Sequence, residues 1–515
     1  MSPEASGLVP GSESRRASGP ELAGVAALVA IGAVPFFAAT TFTGDDHLFL
    51  AFARHVPNPL AAFTSDMHGG EFYRPLPMLL WWLLGRSAGG STWVFGALAF
   101  LLHLVVALQV GLLVAKTTGD RRAALIGGCF FFLAPATREA AYWYSASTDL
   151  LASAFGLGAL HACLSRRWLV ANLLFAAACL SKESAAILPL LAVIVYRARE
   201  PGTSWVPALK AGACLLPAGA AVFACRTMVL GGWGGSGDVA APLPHKLLQI
   251  ALGLAQSLAA GDVVGQPVAT VVGLAAWAIV LVAPILRARR PGGAWTAFVP
   301  LGWIVVTTLP LLAAPWIVGA RYFYFAFAGI AWSLAQLLAR GPHLAVVAVL
   351  ALLGGLSLAQ ATTRRAEVTS YEARLAVARR AIVAGLAQGH HTFHVASGIK
   401  DIDLAVKEDA RLRDHESLVV LGDVPASFVS LPAAGATRVD FLLARPSLPP
   451  AGAYRFGNRR IVGLARRGDD PTMDEVLAQL PDLRFIRLRL AIGGRIIFRD
   501  VTDELKADVD ESAAL

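Results

Sequence analysis

The recurrence of long apolar stretches constrains this chain more than any other feature. Leu22 to Phe42, Trp93 to Ala115, Val206 to Leu230, Val263 to Leu286 and His343 to Ala361 all lie near the roughly 20 residues that a helix needs to cross a bilayer. Of 515 residues, 56% are hydrophobic and 15% are charged. A soluble domain carries about 25% charged residues. The predicted class is therefore a polytopic α-helical membrane protein, not a large soluble core. The net charge of +9 does not point to nucleic acid, because many Lys and Arg sit in short clusters between apolar runs. That is where residues that set membrane topology belong. The five cysteines all lie in apolar runs, with no CxxC or Cys/His metal spacing, and read as small hydrophobes.

The basic clusters give an expected path. Residues 1–20 form a Ser/Gly/Pro-rich cytoplasmic tail, and Arg15 and Arg16 send Leu22 to Phe42 outward. The first outer loop covers residues 43–75. Leu76 to Leu84 is too short to cross. Trp93 to Ala115 returns to Lys116, Arg121 and Arg122, and Ala123 to Pro135 leads out to Arg138 through Tyr144. Asp149 to Leu164 comes back to Arg166 and Arg167. Trp168 to Leu180 and Ala185 to Val195 then form a hairpin, with Lys182 and Glu183 at its tip. Val206 to Leu230 runs out to a Gly-rich loop that lacks the features of a phosphate loop. Continuing the alternation gives about eleven spans across residues 21–361, with the N-terminus inside and the C-terminus outside. From Thr362 the composition turns polar. A charged helix over Arg364 to Leu386 and short strands at Thr392 to Ala396, Leu418 to Leu421, Val439 to Leu443, Arg460 to Leu464 and Phe485 to Leu490 predict a small extracytoplasmic α/β domain over 362–505. An acidic tail, 506–515, follows.

Ionisable residues near hydrocarbon are costly and mark function. Asp45 and Asp46 follow the first span, and either could take a proton from an attacking hydroxyl. Asp46 is the favoured base, with Asp45 left to cap the preceding helix or hold a cation. Tyr73-Arg74-Pro75 opens the next apolar stretch, and the arginine fork suits a phosphate. Lys182-Glu183 and Arg321-Tyr322 place a cation within or beside an apolar run, at the headgroup depth of a lipid-linked phosphate. Bland alternatives exist for each. The loop could be a solvated cap, Lys182 could pair with Glu183 or Glu139, and Arg321 could snorkel in an aromatic belt. Tyr142, Trp143 and Asp149 are expected to line an outer cavity. His47, His55 and His68 could join Asp46 around a divalent metal, but their spacing does not define a site.

The order of these elements resembles the GT-C class of membrane glycosyltransferases. Asp-Asp after the first span, Tyr-Arg-Pro, Arg-Glu-Ala before Ser-Thr-Asp-Leu-Leu, Ser-Lys-Glu in a hairpin and a late Arg-Tyr-Phe-Tyr are most similar to the protein O-mannosyltransferase-like branch, including its tetratricopeptide-linked members. The likeness covers Leu22 to Ala339, and no 34-residue repeat follows Ala361. The resemblance implies a polyprenyl-phosphate sugar donor, an outward-facing site, a base at Asp45 or Asp46, and substrate contacts at Arg74, Lys182, Arg321 and Tyr322; Tyr73, Glu139, Asp149 and Glu183, which stand in or beside the same motifs, are further candidate substrate contacts. It implies transfer to a protein or glycolipid acceptor, with inversion at the anomeric carbon if the displacement is a single step. It also implies a bacterial inner membrane with the site facing the periplasm. The rival class is a transporter or flippase of a lipid-linked sugar, which would show inverted repeats or paired broken helices.

Overall fold

The computed structural model describes residues 19–387, except 39–40, 44, 65–71, 89, 201–203, 233–241, 260, 289–293 and 315–318; beyond 387 it describes six short strand segments. The described chain up to 387 is almost wholly helical. In order, the helices are α1 (Gly19–Ala38), α2 (Asp46–His55), α3 (Pro75–Ser87), α4 (Thr92–Thr118), α5 (Arg121–Leu133), α6 (Glu139–Tyr142), α7 (Ser147–Leu164), α8 (Trp168–Ser181) and α9 (Leu188–Arg199). They continue as α10 (Trp205–Ala213), α11 (Leu216–Leu230), α12 (Leu243–Leu258), α13 (Gly261–Val264), α14 (Gln266–Ala288), α15 (Ala294–Thr308), α16 (Phe327–Leu338) and α17 (His343–Ala387).

Among the described residues, four helical stretches are long and apolar enough to cross a membrane: Thr92–Thr118, Tyr144–Leu164, Trp205–Leu230 and His343–Thr369. Five shorter apolar helices accompany them. Many large apolar side chains remain exposed on these helices, such as Leu101, Leu108 and Leu112 on α4. A helix with apolar side chains on both its packed and its outer face is suited to lipid. The chain is a helical membrane protein.

Inside the bundle, α4, α5, α7, α8, α9 and α16 share one apolar core built around Val106, Phe131, Leu157, Leu191 and Trp332. Small residues let the helices approach closely, and in lipid, where no hydrophobic force drives helices together, the gain comes from that tight packing. Gly111 and Gly128 bring α4 and α5 together so closely that a Cβ on Gly111 would meet the Ala124 carbonyl oxygen at 2.8 Å.

The two ends of the bundle differ in charge. At one end Arg122 donates to the Gly341 carbonyl at 3.0 Å, Arg199 donates to the Leu164 carbonyl, and Arg166 pairs with Glu200. These bonds gather the basic clusters that follow α4, α7, α9 and α16. The opposite end carries the residues singled out from the sequence.

Two expectations change here. Residues 43–75 are not simply a loop, because α2 and a 3₁₀ turn at Pro59–Phe63 lie within it. Phe49 and Leu50 of α2 pack with Met78, Trp81, Phe95 and Tyr144 in a second apolar cluster, and Phe49 stacks on Trp81 with centroids 5.2 Å apart. The charged helix expected from Arg364 is not separate either. It continues the last apolar stretch as a single 45-residue helix, α17, through the expected boundary at 361/362.

The strand segments are β1 (His394–Val395), β2 (Ser427–Phe428), β3 (Val439–Leu443), β4 (Arg460–Gly463), β5 (Ile486–Leu490) and β6 (Ile496–Asp500). They pair as β1-β5-β6 and β2-β3-β4, each with one parallel and one antiparallel ladder. The expected strand at Leu418 to Leu421 lies outside the described residues.

Candidate functional site

Helix ends determine what meets at the second end of the bundle. Pro75 occupies the first position of α3, where a missing N–H costs nothing, and so fixes Arg74 at the helix mouth. At the tip between α8 and α9, the extended backbone of Lys182 is followed by a 3₁₀ turn, Glu183–Ile187. The two adjacent side chains reach different partners. Lys182 Nζ lies 2.5 Å from Asp149 Oδ1 at the start of α7, with the two side chains only 12% and 11% exposed. Glu183 receives two bonds from Arg74, Nε to Oε2 at 3.0 Å and Nη2 to Oε1 at 2.5 Å.

Arg321 makes the third pair. Its Nη1 lies 2.6 Å from Glu139 Oε1, and its backbone N–H donates to Glu139 Oε2 at 2.9 Å. Its guanidinium sits 3.7 Å from the centroid of the Trp143 ring and 4.8 Å from that of Tyr322. Lys182 Nζ lies 5.5 Å from the same Tyr322 ring, so the Lys182 and Arg321 pairs flank one aromatic side chain. Gly319 makes this approach possible. It holds φ +88°, and a Cβ there would collide with the Glu139 carboxylate.

Electrostatics tie the pairs together. Burial works against the charge on Glu183, but Arg74 beside it holds the carboxyl at about 2. Burial likewise opposes the charge on Arg74, and Glu183, then Asp149, raise its pKa above the usual arginine value. Arg226 on α11 is close enough to act on both Glu183 and Arg74. It is a further cation that the motif reading does not single out, although a lone arginine in an apolar run is a visible signal. Lys182 pairs with neither Glu183 nor Glu139, the partners considered from sequence, but with Asp149.

The first-loop carboxylates stand apart from these pairs. Asp46 is fully buried, and its oxygens accept from Ser145 N at 2.6 Å and Thr43 N at 2.9 Å. Burial pushes its pKa up to about 7, partly opposed by those bonds. Asp45 precedes α2 and is half-buried, but its side chain makes no capping hydrogen bond. Tyr73 is also outside the charge network. It is buried and donates its hydroxyl to the Phe63 carbonyl at 3.2 Å, which closes the first-loop fold.

Arg138 is a structural cation beside the site. It is fully buried and donates to the carbonyls of Gly32 at 3.1 Å and Phe132 at 2.6 Å, joining α1 to the end of α5. Burial lowers its pKa to about 10, which leaves it charged at neutral pH.

A cavity of about 610 Å³ opens beside the Arg321 pair. Tyr142 and Trp143 line it as expected, but Asp149 does not. Gln249 and Gln256 of α12 and Gln360 and Arg364 of α17 complete much of its wall. The glutamines leave no sequence signal, because single amides in apolar helices carry no spacing pattern. Arg364 reaches across to Thr43 Oγ1 at 3.3 Å, beside the first-loop carboxylates. Among the described residues, no group of three or more His, Cys, Asp or Glu side chains is placed to hold a metal ion. His68 lies outside the described residues. Neither protein-family models nor curated proteins give a match to this chain.

Proposed function

We propose that this chain is an integral membrane glycosyltransferase that moves one sugar from a polyprenyl-phosphate carrier to a hydroxyl acceptor at the outer face. The observation that carries this reading is the assembly of Arg74, Lys182 and Arg321 at one end of the bundle, each held by a carboxylate brought from elsewhere in the chain. Cations near hydrocarbon need such partners to remain charged. A guanidinium has five N–H donors, and Glu183 engages two from Arg74. The same pair can therefore hold the arginine in place while the rest of its fork meets a phosphate.

In this reading Asp45 is the base. Asp46 already accepts backbone donors on both oxygens, so its role is to hold Ser145 and Thr43 around the site. The acceptor O–H gives its proton to Asp45 as its oxygen bonds to the anomeric carbon. The bond from that carbon to the phosphate oxygen breaks, and polyprenyl phosphate leaves with the electron pair. Arg74, Lys182 and Arg321 stabilise the growing phosphate charge. A single displacement inverts the anomeric carbon.

The finer topology belongs to the same proposal. The basic end faces the cytoplasm by the positive-inside rule, and the paired charges face the periplasm of a bacterial inner membrane. About eleven spans then leave the α/β segment after α17 outside.

The test uses purified protein in lipid with labelled polyprenyl-phosphate sugars and an acceptor mixture. The reading requires release of polyprenyl phosphate together with a labelled acceptor. Movement of intact donor between leaflets without release would instead establish a flippase.

A further inference from the structure

The cavity beside the Arg321 pair differs in chemistry from the charge network that forms one of its walls. Glu139 and Trp143 belong to both: each lines the cavity, and each contacts Arg321. The charged residues of the lining are Glu139, Glu367 and Arg364, and the lone cation among them, Arg364, already pairs with Glu367 at 3.3 Å, while Glu139 is held by Arg321, so among the described residues the lining offers no unpaired cation. That disfavours a phosphate. The remaining polar wall is dominated by three glutamines on two helices, Gln249 and Gln256 of α12 and Gln360 of α17. A primary amide carries both donor hydrogens and an acceptor oxygen, which matches the dual character of hydroxyl groups; Gln249 and Gln256 each commit one amide N–H within the protein, against His245 Nε2 at 3.0 Å and Thr270 Oγ1 at 3.1 Å. Trp143 supplies an aromatic surface for the apolar face of a sugar ring.

Two atoms on residues of this wall are left with unused hydrogen-bonding capacity. Gln249 Oε1 and Arg364 Nε are both buried and lack a hydrogen-bond partner among the described residues. One is an acceptor and the other a donor. Leaving such groups unsatisfied is costly; both atoms are closed to solvent, so a ligand bearing hydroxyls satisfies them once the Gln249 and Arg364 side chains turn toward the cavity. The volume of about 610 Å³ suits a small ligand rather than a folded partner.

We infer that this cavity binds a neutral, polyhydroxylated ligand, a carbohydrate, and that this carbohydrate is the acceptor. The second half of the inference rests on the transferase reading. Thr43 lines the cavity two residues before Asp45, so the acceptor pocket borders the segment that carries the proposed base. The phosphate of the donor then belongs on the cationic side of the Glu139–Arg321 pair, and the acceptor on the amide side. A glycan or glycolipid is therefore favoured over a protein.

The experiment is photolabelling of the full chain in lipid nanodiscs, free of glycoside detergent. The probes are aryl-diazirine glycosides of glucose, galactose, mannose and arabinose, a hydroxyl-free cyclohexyl analogue and a hexose-phosphate analogue. The expected result is that at least one neutral glycoside labels α12 or α17 about tenfold more than either control. Gln249→Leu should cut that labelling about tenfold, the effect of losing about 1.4 kcal/mol of binding. Equal labelling by the hydroxyl-free probe, stronger labelling by the phosphate probe, or full labelling of Gln249→Leu would overturn the inference. Because a variant can perturb folding, the site of labelling in the unmodified protein is mapped by peptide analysis. Labelling elsewhere also overturns it. Donor cleavage is measured in parallel. Sugar labelling without polyprenyl phosphate release from any donor removes the transferase reading and leaves the carbohydrate site. Release without labelling removes only the carbohydrate site.

Discussion

The pair of Lys182 and Asp149 allows the stabilising and catalytic roles of a buried cation to be separated. Lys182→Met keeps an unbranched side chain of similar length but leaves Asp149 without its cation. The two charges lie 2.5 Å apart and both side chains are almost wholly shielded. At an effective dielectric of about 20 their attraction is roughly 6–7 kcal/mol. Desolvation of the two ions offsets much of this, and breaking a buried pair from one side typically costs about 3–5 kcal/mol. Lys182→Met should therefore destabilise the protein by that amount in denaturation from lipid or mild detergent. The double variant Lys182→Met with Asp149→Asn removes both charges and should recover most of the loss, because replacing a whole pair is often neutral. Transfer should behave differently. If Lys182 stabilises the leaving phosphate, both the single and the double variant remain deficient in polyprenyl phosphate release. A double variant that regains stability and turns over normally would falsify the phosphate role and leave Lys182 a partner of Asp149 alone. A double variant as unstable as the single would refute the charge accounting itself.

Asp45→Asn should lower sugar transfer about 10²–10⁴-fold with donor binding retained, whereas Asp46→Asn should act chiefly on stability; comparable transfer by Asp45→Asn and wild type would remove Asp45 as base. Because the folded pKa of Asp46 is raised from 3.8 to about 7, its contribution to stability is complete below about pH 4 and is lost as pH rises through 7. That loss, about 4 kcal/mol from roughly 1.4 per pH unit, should be visible in denaturation between pH 4 and 8 and should vanish in Asp46→Asn. Gly319→Ala should cost about 1–3 kcal/mol for the left-handed backbone alone and should displace Glu139 from Arg321, so transfer falls. Gly355→Ala, where an added Cβ meets open space, is the control expected to leave transfer unchanged. A phosphatase fused after Leu515 should be active only outside, and one fused near Arg197 should be silent; equal activity at both points would overturn the proposed orientation.

Helix positions are legible because hydrocarbon imposes a simple requirement on sequence. Trp168 to Leu180 and Trp93 to Ala115 match α8 and α4 to within a few residues at each end. The pairing of charges is not legible. Arg74 and Glu183 are 109 positions apart and Arg321 and Glu139 are 182 apart, distances over which no spacing rule operates. The tip of the α8–α9 hairpin is recognisable, but neighbours in sequence suggest a pair, and the extended backbone at Lys182 sends the two side chains to different partners. Helix α2 does leave a signal, since Phe49, Phe52 and Ala53 recur at helical spacing behind Asp46. The supposed break at Thr362 marks a change of composition, not of backbone. Arg, Ala and Glu between Arg364 and Ala373 are good helix formers, so α17 continues past the point where its sequence turns polar.

That continuity has a mechanical consequence. A 45-residue helix is about 68 Å long, and about 30 Å of it suffices to cross hydrocarbon. Arg364, which lines the cavity and touches Thr43, therefore stands on the same rigid rod as Ala387, about 35 Å further along at 1.5 Å per residue. Each residue of that rod also turns the next by about 100°. Between the cavity wall and Ala387 no break in the helix separates a displacement at one point from the other. One unbroken helical backbone thus connects the cavity wall to the start of the segment beyond Ala387.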